Sequence, residues 1–519
     1  NKPTEVKHYI REVMDESEAT LIDKSTKKAN LEKIRDKYKI EREDLDPELT
    51  KDMKCVHCKG TKIQIGEDGI ERPCSHCEGS GVEPGGELCI RCLGEGCIRC
   101  SQRGFLLFGP TLASERADEI LHIKAAAKEI DLYEKLLRAG RFHASFKVIG
   151  TLSSRMAGGD GLNAQGIKGS EATRSAFPLM WEGMQLCGGD FDGFEVTLAD
   201  AVFKDENLRE DLLAGKSLHA AMAQELYPDK TEDQIKASKG FKDGGDIDMY
   251  TRGKQAVFAT LYGGDAGTIN KKLAIDKKVA ERAFDGLQKR YPGIKRARDK
   301  VAMDFAALEQ HGEVGTGKIT YRKPKDYVET FLGFRRYFTL ENLIAKALYD
   351  LAQHVPYDWR RFDIAVVRRD REQTPAGAVS SALYGSAFNL QAANIRAANN
   401  HLIQSPGAMI TKHLQRRIWD LQPHGVHDWY VAPINVHDEV LSVTRPDIVP
   451  KVTDVVIEVV ESYRDRVPLI GMDWVTSMEN WAGKKGGGGQ EVKISPHGIK
   501  FGDEDDWQYD KMNVDDLEE

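Results

Sequence analysis

The stretch G-G-D-F-D-G-F-E-V, residues 188–196, decides how this chain is read. An apolar run before it (Met184, Leu186, Cys187) predicts a buried strand, and the spacing after it (Val196, Ala199, Val202) predicts a helix. Asp190 therefore falls where a strand ends, and Glu195 falls in the first turn of the helix beyond. An acidic side chain at a strand end can hold a hard cation against a phosphate. It can equally cap the helix. Cys187, unpaired within the apolar run, reads as packing. Two later stretches decide between cation and cap.

The first is R-G-K-Q-A-V-F-A-T-L-Y-G-G, residues 252–264. Lys254, Phe258 and Tyr262 recur at i, i+4 and i+8, along one helical stripe. An ammonium for phosphates, a ring for a base and a hydroxyl for the sugar end suit a nucleotide. The plainer alternative is an amphipathic helix with a snorkelling lysine. The second stretch is V-A-P-I-N-V-H-D-E-V-L-S-V, where β-rich runs at 431–436 and 440–444 flank a turn of His437, Asp438 and Glu439. Three consecutive ionisable residues at a turn are a poor choice for stability alone. Asp438 can join Asp190 in bridging two Mg²⁺ ions ~3.5–4 Å apart, the spacing of two-metal phosphoryl transfer.

The sequence has 519 residues, more than one core holds, so two to four domains are expected. No run of about 18 apolar residues occurs, and no membrane span is expected. No signal peptide is visible. The first residue is Asn rather than Met, which fits an upstream part outside this sequence. Net charge is -8, and residues 501–519, with nine acids and Lys511, account for all of it. The rest is neutral, which leaves room for a basic groove without revealing one. G-K-K-G-G-G-G-Q at 483–490 reads as a flexible linker, and the acidic end as a disordered tail.

Helical patterning covers 4–13, 27–38 and 113–139, the last ended by Gly140. Eight of the nine cysteines form four C-x-x-C pairs: Cys55/Cys58, Cys74/Cys77, Cys89/Cys92 and Cys97/Cys100. Two pairs complete one tetrahedral zinc site, so four pairs predict two structural sites with four thiolates each. Binding of metal there is expected to contribute ~10 kcal/mol or more to folding of the block. T-L-S-S-R at 151–155 and N-A-Q-G-I at 163–167 read as surface loops or as backbone and minor-groove contacts through Arg155, Asn163 and Gln165. Y-V-E-T-F-L-G-F-R-R-Y-F at 327–338 puts Arg335 and Arg336 after a β-rich run, where they read plainly as a solvated basic patch. Residues 356–383 look irregular, a loop or insertion. Helical patterning resumes after them, with Gln404 and Lys412 two turns apart.

In this order and spacing the segments resemble the polymerase domain of family A DNA polymerases, the bacterial polymerase I class. D-F-D-G-F-E matches its motif A, K-x-x-x-F-x-x-x-Y-G its motif B, and H-D-E its motif C. T-L-S-S-R with N-A-Q-G-I, R-S-A-F at Arg174, and N-H-L-I-Q-S-P-G-A match accessory motifs, the last most like phage replicative members. The resemblance covers about 105–482, and 1–50 fits the start of a thumb. It implies an α+β right hand with an antiparallel palm sheet: 1–150 thumb, 151–204 and 346–482 palm, 205–345 fingers, 483–519 a flexible acidic tail.

The resemblance also implies roles. Asp190 and Asp438 hold two Mg²⁺ with help from the Phe191 carbonyl, and Glu439 supports that site. Lys254 and His219 bind the dNTP phosphates, Lys254 serving also as a proton donor to pyrophosphate. Phe258 packs on the nucleotide. Glu195 pairs with Tyr262 and closes the pocket against a ribose 2′-hydroxyl. Arg155, Asn163, Gln165, Arg174, Gln404 and His437 hold primer-template DNA. The implied activity is template-directed DNA synthesis in phage replication, in the host bacterial cytoplasm. Residues 1–150 hold no acidic constellation like the family's 3′→5′ exonuclease, so none is expected in this sequence.

Two departures stand out. The family usually carries an Arg four residues before the motif B Lys; that position is Tyr250, and Arg252, two residues before Lys254, is turned ~200° away. The block at 52–104 resembles the cysteine-rich zinc domain of J-protein co-chaperones, although no H-P-D signature occurs. Carried over from that family, Cys55, Cys58, Cys97 and Cys100 share one zinc, and Cys74, Cys77, Cys89 and Cys92 the other. Set within the thumb, the insert reads either as a clamp for DNA or a processivity partner, or as a structural insert. Competing readings are a single-subunit RNA polymerase, which Glu195 argues against, and a zinc-dependent binding module without catalysis.

Overall fold

The structure is a computed structural model that describes residues 3–12, 14, 22, 26–37, 39–40, 50–54, 63–65, 71–73, 82–88, 105–106, 109–110, 112–139, 144–159, 163–167, 169, 171–241, 247–273, 275–311, 319–354, 375–483 and 489–502. The chain divides into two compact units, 1–141 and 142–519.

In the first unit, helices α1 (Pro3–Arg11), α2 (Lys28–Lys37) and α3 (Leu112–Ala139) lie within a residue or two of the predicted spans. Val6 and Ile10, Leu31 and Ile34, Ala113, Ala117 and Leu121 recur at helical spacing and bury a small common core. The Ser114 hydroxyl donates to the Arg35 carbonyl at 2.6 Å, and Tyr9 donates to Glu119 at 2.8 Å, tying α3 to α2 and α1. The eight paired cysteines lie outside the described residues.

The second unit is built on a six-stranded sheet. Its strands are β1 (Gln185–Phe191), β2 (Val431–Val436), β3 (Glu439–Thr444), β4 (Met472–Met478), β5 (Gln490–Ser495) and β6 (Gly498–Phe501), in the spatial order β2-β3-β1-β4-β5-β6. Every pairing is antiparallel. β1 lies between β3 and β4, and its two glycines are what let it do so. A Cβ on Gly188 would stand 2.3 Å from a Leu441 methyl, and one on Gly189 would stand 2.5 Å from the Asp473 carbonyl.

Around the sheet lie α4 (Phe194–Phe203), α5 (Leu218–Leu226), α6 (Met249–Leu261), α7 (Pro375–Trp419) and α8 (Val449–Glu461). α8 buries Val452, Val455, Val456, Val459 and Val460 on one face, each contributing roughly 1.5–3 kcal/mol of transfer free energy. Gly193, at φ 50, lets β1 turn directly into α4. Ser217 caps α5 through Ala220 N–H, and Asp248 caps α6 through Thr251 N–H. α5 and α6 approach so closely at Gly253 that a Cβ there would stand 2.3 Å from the His219 carbonyl.

The structure departs from the sequence reading in three places. Residues 490–501, expected in the flexible tail, form β5 and β6 of the main sheet, while 503–519 lie outside the described residues. Within 356–383, expected to be irregular, α7 already begins at Pro375, a residue suited to a first helical turn. Glu439 is not in the turn: it opens β3, paired with Val436 on one side and Asp190 on the other. Arg335 and Arg336, expected after a β-rich run, lie on the second strand of a hairpin of Tyr327–Glu329 and Arg335–Tyr337. Among the described residues no helix is long and apolar enough to cross a membrane.

Candidate active site

Asp190 is the penultimate residue of β1 and is exposed, facing an open cleft of about 860 Å³. The same cleft is lined by Glu195, His219, Lys254, Phe258 and Asp438. Asp438 reaches it from the neighbouring hairpin. A two-residue turn of His437 and Asp438 joins β2 to β3, and His437 takes a left-handed backbone, φ 64. Burial raises the Asp438 carboxyl above its ordinary pKa, the negative charges of Asp190 and Glu195 raise it further, and Arg155 opposes the rise. Two acidic groups that repel at strand ends of one cleft are a donor pair that a divalent cation relieves.

Glu439 lies in the wall of the same cleft, together with Arg174. It is 3% exposed, and its carboxylate accepts from Arg174 Nη1 at 3.1 and 3.3 Å and from the Trp481 indole N–H at 3.0 Å. The Arg174 guanidinium also lies over the Trp481 ring, 4.6 Å from its centroid. Arg174, expected on DNA, is thus tied to Glu439. Nothing local in the sequence announces Trp481 as the third member. Asp473 on β4, opposite Asp190 in register, is a further acid the sequence reading passes over. Burial raises its carboxyl as well.

Lys254, Phe258 and Tyr262 form one stripe along α6 and its C-cap, as their spacing predicts. Tyr262, the C-cap of α6, donates to Glu195 Oε1 at 2.5 Å, and Arg155 Nη2 donates to the same oxygen at 3.1 Å. Burial, with the Glu195 carboxylate, raises the Tyr262 phenol, so the hydroxyl remains a donor. Phe258 stacks on Tyr262 with centroids 5.8 Å apart, and Lys254 Nζ stands 5.5 Å over Phe258. Lys254 is exposed to the cleft. His219, on α5, meets Phe258 edge-on at 5.6 Å. Burial, then Lys254 and Lys239, lower its pKa to about 4, so the ring is neutral at pH 7. Arg252 is turned away and donates to the Tyr227 hydroxyl at 3.1 Å.

The remaining expected DNA contacts flank this cleft. Arg155, Gln165 and His437 line one narrow pocket together with Lys412. Lys412 donates to the Ser154 carbonyl at 2.9 Å and to its hydroxyl at 2.6 Å, holding Ser154 at φ 63. Asn163 caps the turn Ala164–Gly166 by accepting from Gln165 N–H, and Gln165 Nε2 donates to the Met156 carbonyl at 3.2 Å. Gln404, on α7, lines a second small pocket with Glu195 and His437. These positions bring together residues as far apart in sequence as Arg155 and His437.

A family model for DNA polymerase family A matches residues 114–482. The chain belongs to DNA polymerase family A. Among relatives in the family, it is 25% identical over 255 residues to the DNA polymerase I of Chloroflexus aurantiacus, which covers 44% of this chain and 23% of that protein. It is 25% identical over 357 residues to the thermostable DNA polymerase I of Thermus filiformis, 66% of this chain and 33% of that one. It is also 25% identical over 222 residues to the DNA polymerase of Mycobacterium phage D29, 42% and 34%. The chain thus spans about a quarter to a third of the length of these relatives. Among solved structures, the POL domain of Pol1 from M. smegmatis, in complex with a DNA primer-template and dNTP, aligns at 18% identity with a TM-score of 0.47, covering 93% of this chain and 66% of that one.

Proposed function

We propose that this chain is a template-directed DNA polymerase that adds dNTPs to a primer 3′ end. The observation that carries the reading is the opposition of two chemistries across one cleft. Asp190 and Asp438 stand on one side, and Lys254 and His219 on the other, with the Glu195–Tyr262 pair beside them.

Among the described residues no cluster of three or more His, Cys, Asp or Glu side chains is arranged as a metal site. Asp190 and Asp438 nevertheless fit Mg²⁺, which favours a few carboxylates completed by water and substrate phosphates over an all-protein cage. Asp438, raised by burial and further by the charges of Asp190 and Glu195, is a carboxylate that a cation would relieve. Mg²⁺ bound there would make the primer hydroxyl a better nucleophile and neutralise the leaving pyrophosphate. The Phe191 carbonyl is the adjoining donor on β1. Lys254 neutralises the phosphates and is positioned to return a proton to the leaving group. Neutral His219 binds phosphate through a ring N–H. Phe258 offers a face to the base. Glu195, held by both Tyr262 and Arg155, blocks the space a 2′-hydroxyl would need, which favours dNTPs over rNTPs. Glu439 supports the site indirectly, by fixing the start of β3 next to Asp438. Arg155, Asn163, Gln165, Arg174, Gln404 and His437 are assigned to the primer-template side.

The division into thumb, palm and fingers is part of the same reading, as is a role in phage replication, which the D29 relative supports. We further read 52–104 as a two-zinc insert that clamps DNA or binds a processivity partner. Metal analysis should find two zinc ions per chain, and unchanged processivity after replacing the block by a short loop would remove the clamp idea. The polymerase reading itself is tested by extension of a labelled primer-template with dNTPs and, separately, rNTPs. Extension with dNTPs alone is expected; equal use of both would point to an RNA polymerase.

A further inference from the structure

A second cation stands near His219, which lines the cleft, and the reading above leaves it unused. Lys239 lies in the short turn Lys239–Phe241 that precedes α6. It is exposed, and its Nζ stands 5.3 Å over the Tyr250 ring. Tyr250 occupies the first turn of α6, one helical turn before Lys254. Its ring meets His219 edge-on, centroids 5.7 Å apart, and its hydroxyl lies 3.4 Å from both His219 Nδ1 and Ser217 Oγ. His219 in turn touches Phe258, under Lys254. The two ammonium groups therefore flank one imidazole, whose buried Nε2 has no hydrogen-bond partner. Both lower the His219 pKa, so both lie within electrostatic reach of the ring.

The plain alternative is a surface lysine resting on a tyrosine. Two observations argue for more. Asp248, the carboxylate near Lys239, is already engaged by the backbone N–H groups of Gly240 and Thr251, both at 2.8 Å. Among the described residues Lys239 makes no ion pair within 4 Å. A cation–π contact at an exposed site is weak, and the four-carbon stem is flexible, so the ammonium can exchange Tyr250 for a phosphate at little cost. Two cations that form no ion pair within 4 Å among the described residues, on either side of an unpartnered ring nitrogen, make a site for an extended polyanion.

We propose that Lys239 is a second phosphate-binding cation for the incoming nucleoside triphosphate, held near His219 by Tyr250 and acting with Lys254 and His219. The identity of the polyanion as a nucleotide rests on the polymerase reading; the cation site itself does not.

The test uses the full chain as wild type, Lys239→Ala and Lys239→Arg. The KM for dTTP is measured by single-nucleotide primer extension, and the binding of dTTP and of inorganic tripolyphosphate by calorimetry. Loss of one charge-assisted phosphate contact should raise the dTTP KM and both dissociation constants about tenfold in Lys239→Ala. The kcat and the primer-template affinity should stay within about twofold, and Lys239→Arg should restore most of the loss. Lys239→Ala binding tripolyphosphate as tightly as wild type would overturn the proposal, as would a loss confined to primer-template affinity. A wild type that binds tripolyphosphate through Lys239 but extends no primer would sink the polymerase reading and leave the cation site standing. A wild type that binds neither ligand would end both.

Discussion

Replacing Glu439 by Ala would leave two donors without this acceptor, the half-buried Arg174 and the buried Trp481 indole. The Arg174 side chain is 20% exposed and that of Glu439 is 4%, and the two meet through contacts of 3.1 and 3.3 Å. The Trp481 indole, fully buried, donates to the same carboxylate at 3.0 Å. Removing one partner of a buried ion pair costs about 3–5 kcal/mol, because the other charge stays buried and uncompensated. A stranded indole N–H costs about 1–3 kcal/mol more. Arg174 borders the cleft and can swing toward water, which offsets part of this, so Glu439→Ala should cost about 4 kcal/mol in all. Glu439→Gln keeps one acceptor and loses the charge, and should cost about 2 kcal/mol. The assay is urea unfolding of the full chain followed by tryptophan fluorescence. Arg174→Met, alone and combined with Glu439→Gln, completes a double-mutant cycle. Coupling on the order of 2 kcal/mol is expected. A Glu439→Ala cost below about 1 kcal/mol, or additive effects in the cycle, would refute the idea that this carboxylate is held as a structural partner of Arg174 and Trp481.

Asp438→Asn should raise the unfolding midpoint measured without divalent cations, because it removes a carboxylate that burial and Asp190 disfavour, while abolishing primer extension; a lowered midpoint would contradict the repulsion. Glu195→Ala should improve rNTP use relative to dNTP by about tenfold or more, the scale of discrimination a pocket wall supplies; unchanged discrimination would free Glu195 from that role. His219 is held below its ordinary pKa of 6.5, at about 4, so the unfolded chain takes up its proton first. Its contribution is present above pH 6.5 and is lost as pH falls toward 4, about 3 kcal/mol in total. The difference between wild type and His219→Gln in urea unfolding, taken across that window, should show this slope; a flat difference would mean the ring is not held neutral.

Much of the site is legible in the sequence because local patterns encode it. The apolar run ending at Asp190, the turn through Gly193 and the i, i+4, i+8 stripe of Lys254, Phe258 and Tyr262 each depend on a few neighbouring residues. H-D-E is less transparent. Three ionisable residues between two β-rich runs do not reveal which one starts the strand, and the two-residue turn through His437 sets Glu439 inward. Strands β5 and β6 are hidden because G-K-K-G-G-G-G-Q precedes them and acids follow, with only Val492, Ile494 and Ile499 to mark a buried face. The start of α7 is hidden in the same way by the charged residues before it and by Pro375 and Gly377 in its own first turn. The pairings Arg174–Glu439, Arg155–Glu195 and Lys412–Ser154 join distant segments, so no local signal exists for them. Lys239 is invisible in sequence for the same reason: its relation to His219 passes through Tyr250, on a separate element.

The most direct test of the account is primer extension on a labelled primer-template with Mg²⁺ and dNTPs, wild type beside Asp438→Ala. The account predicts template-dictated extension by wild type and a loss of at least about a thousandfold in the variant, as for removal of a group that stabilises the transition state directly. Extension by both at similar rates would contradict the assignment of Asp190 and Asp438 as the reacting centre.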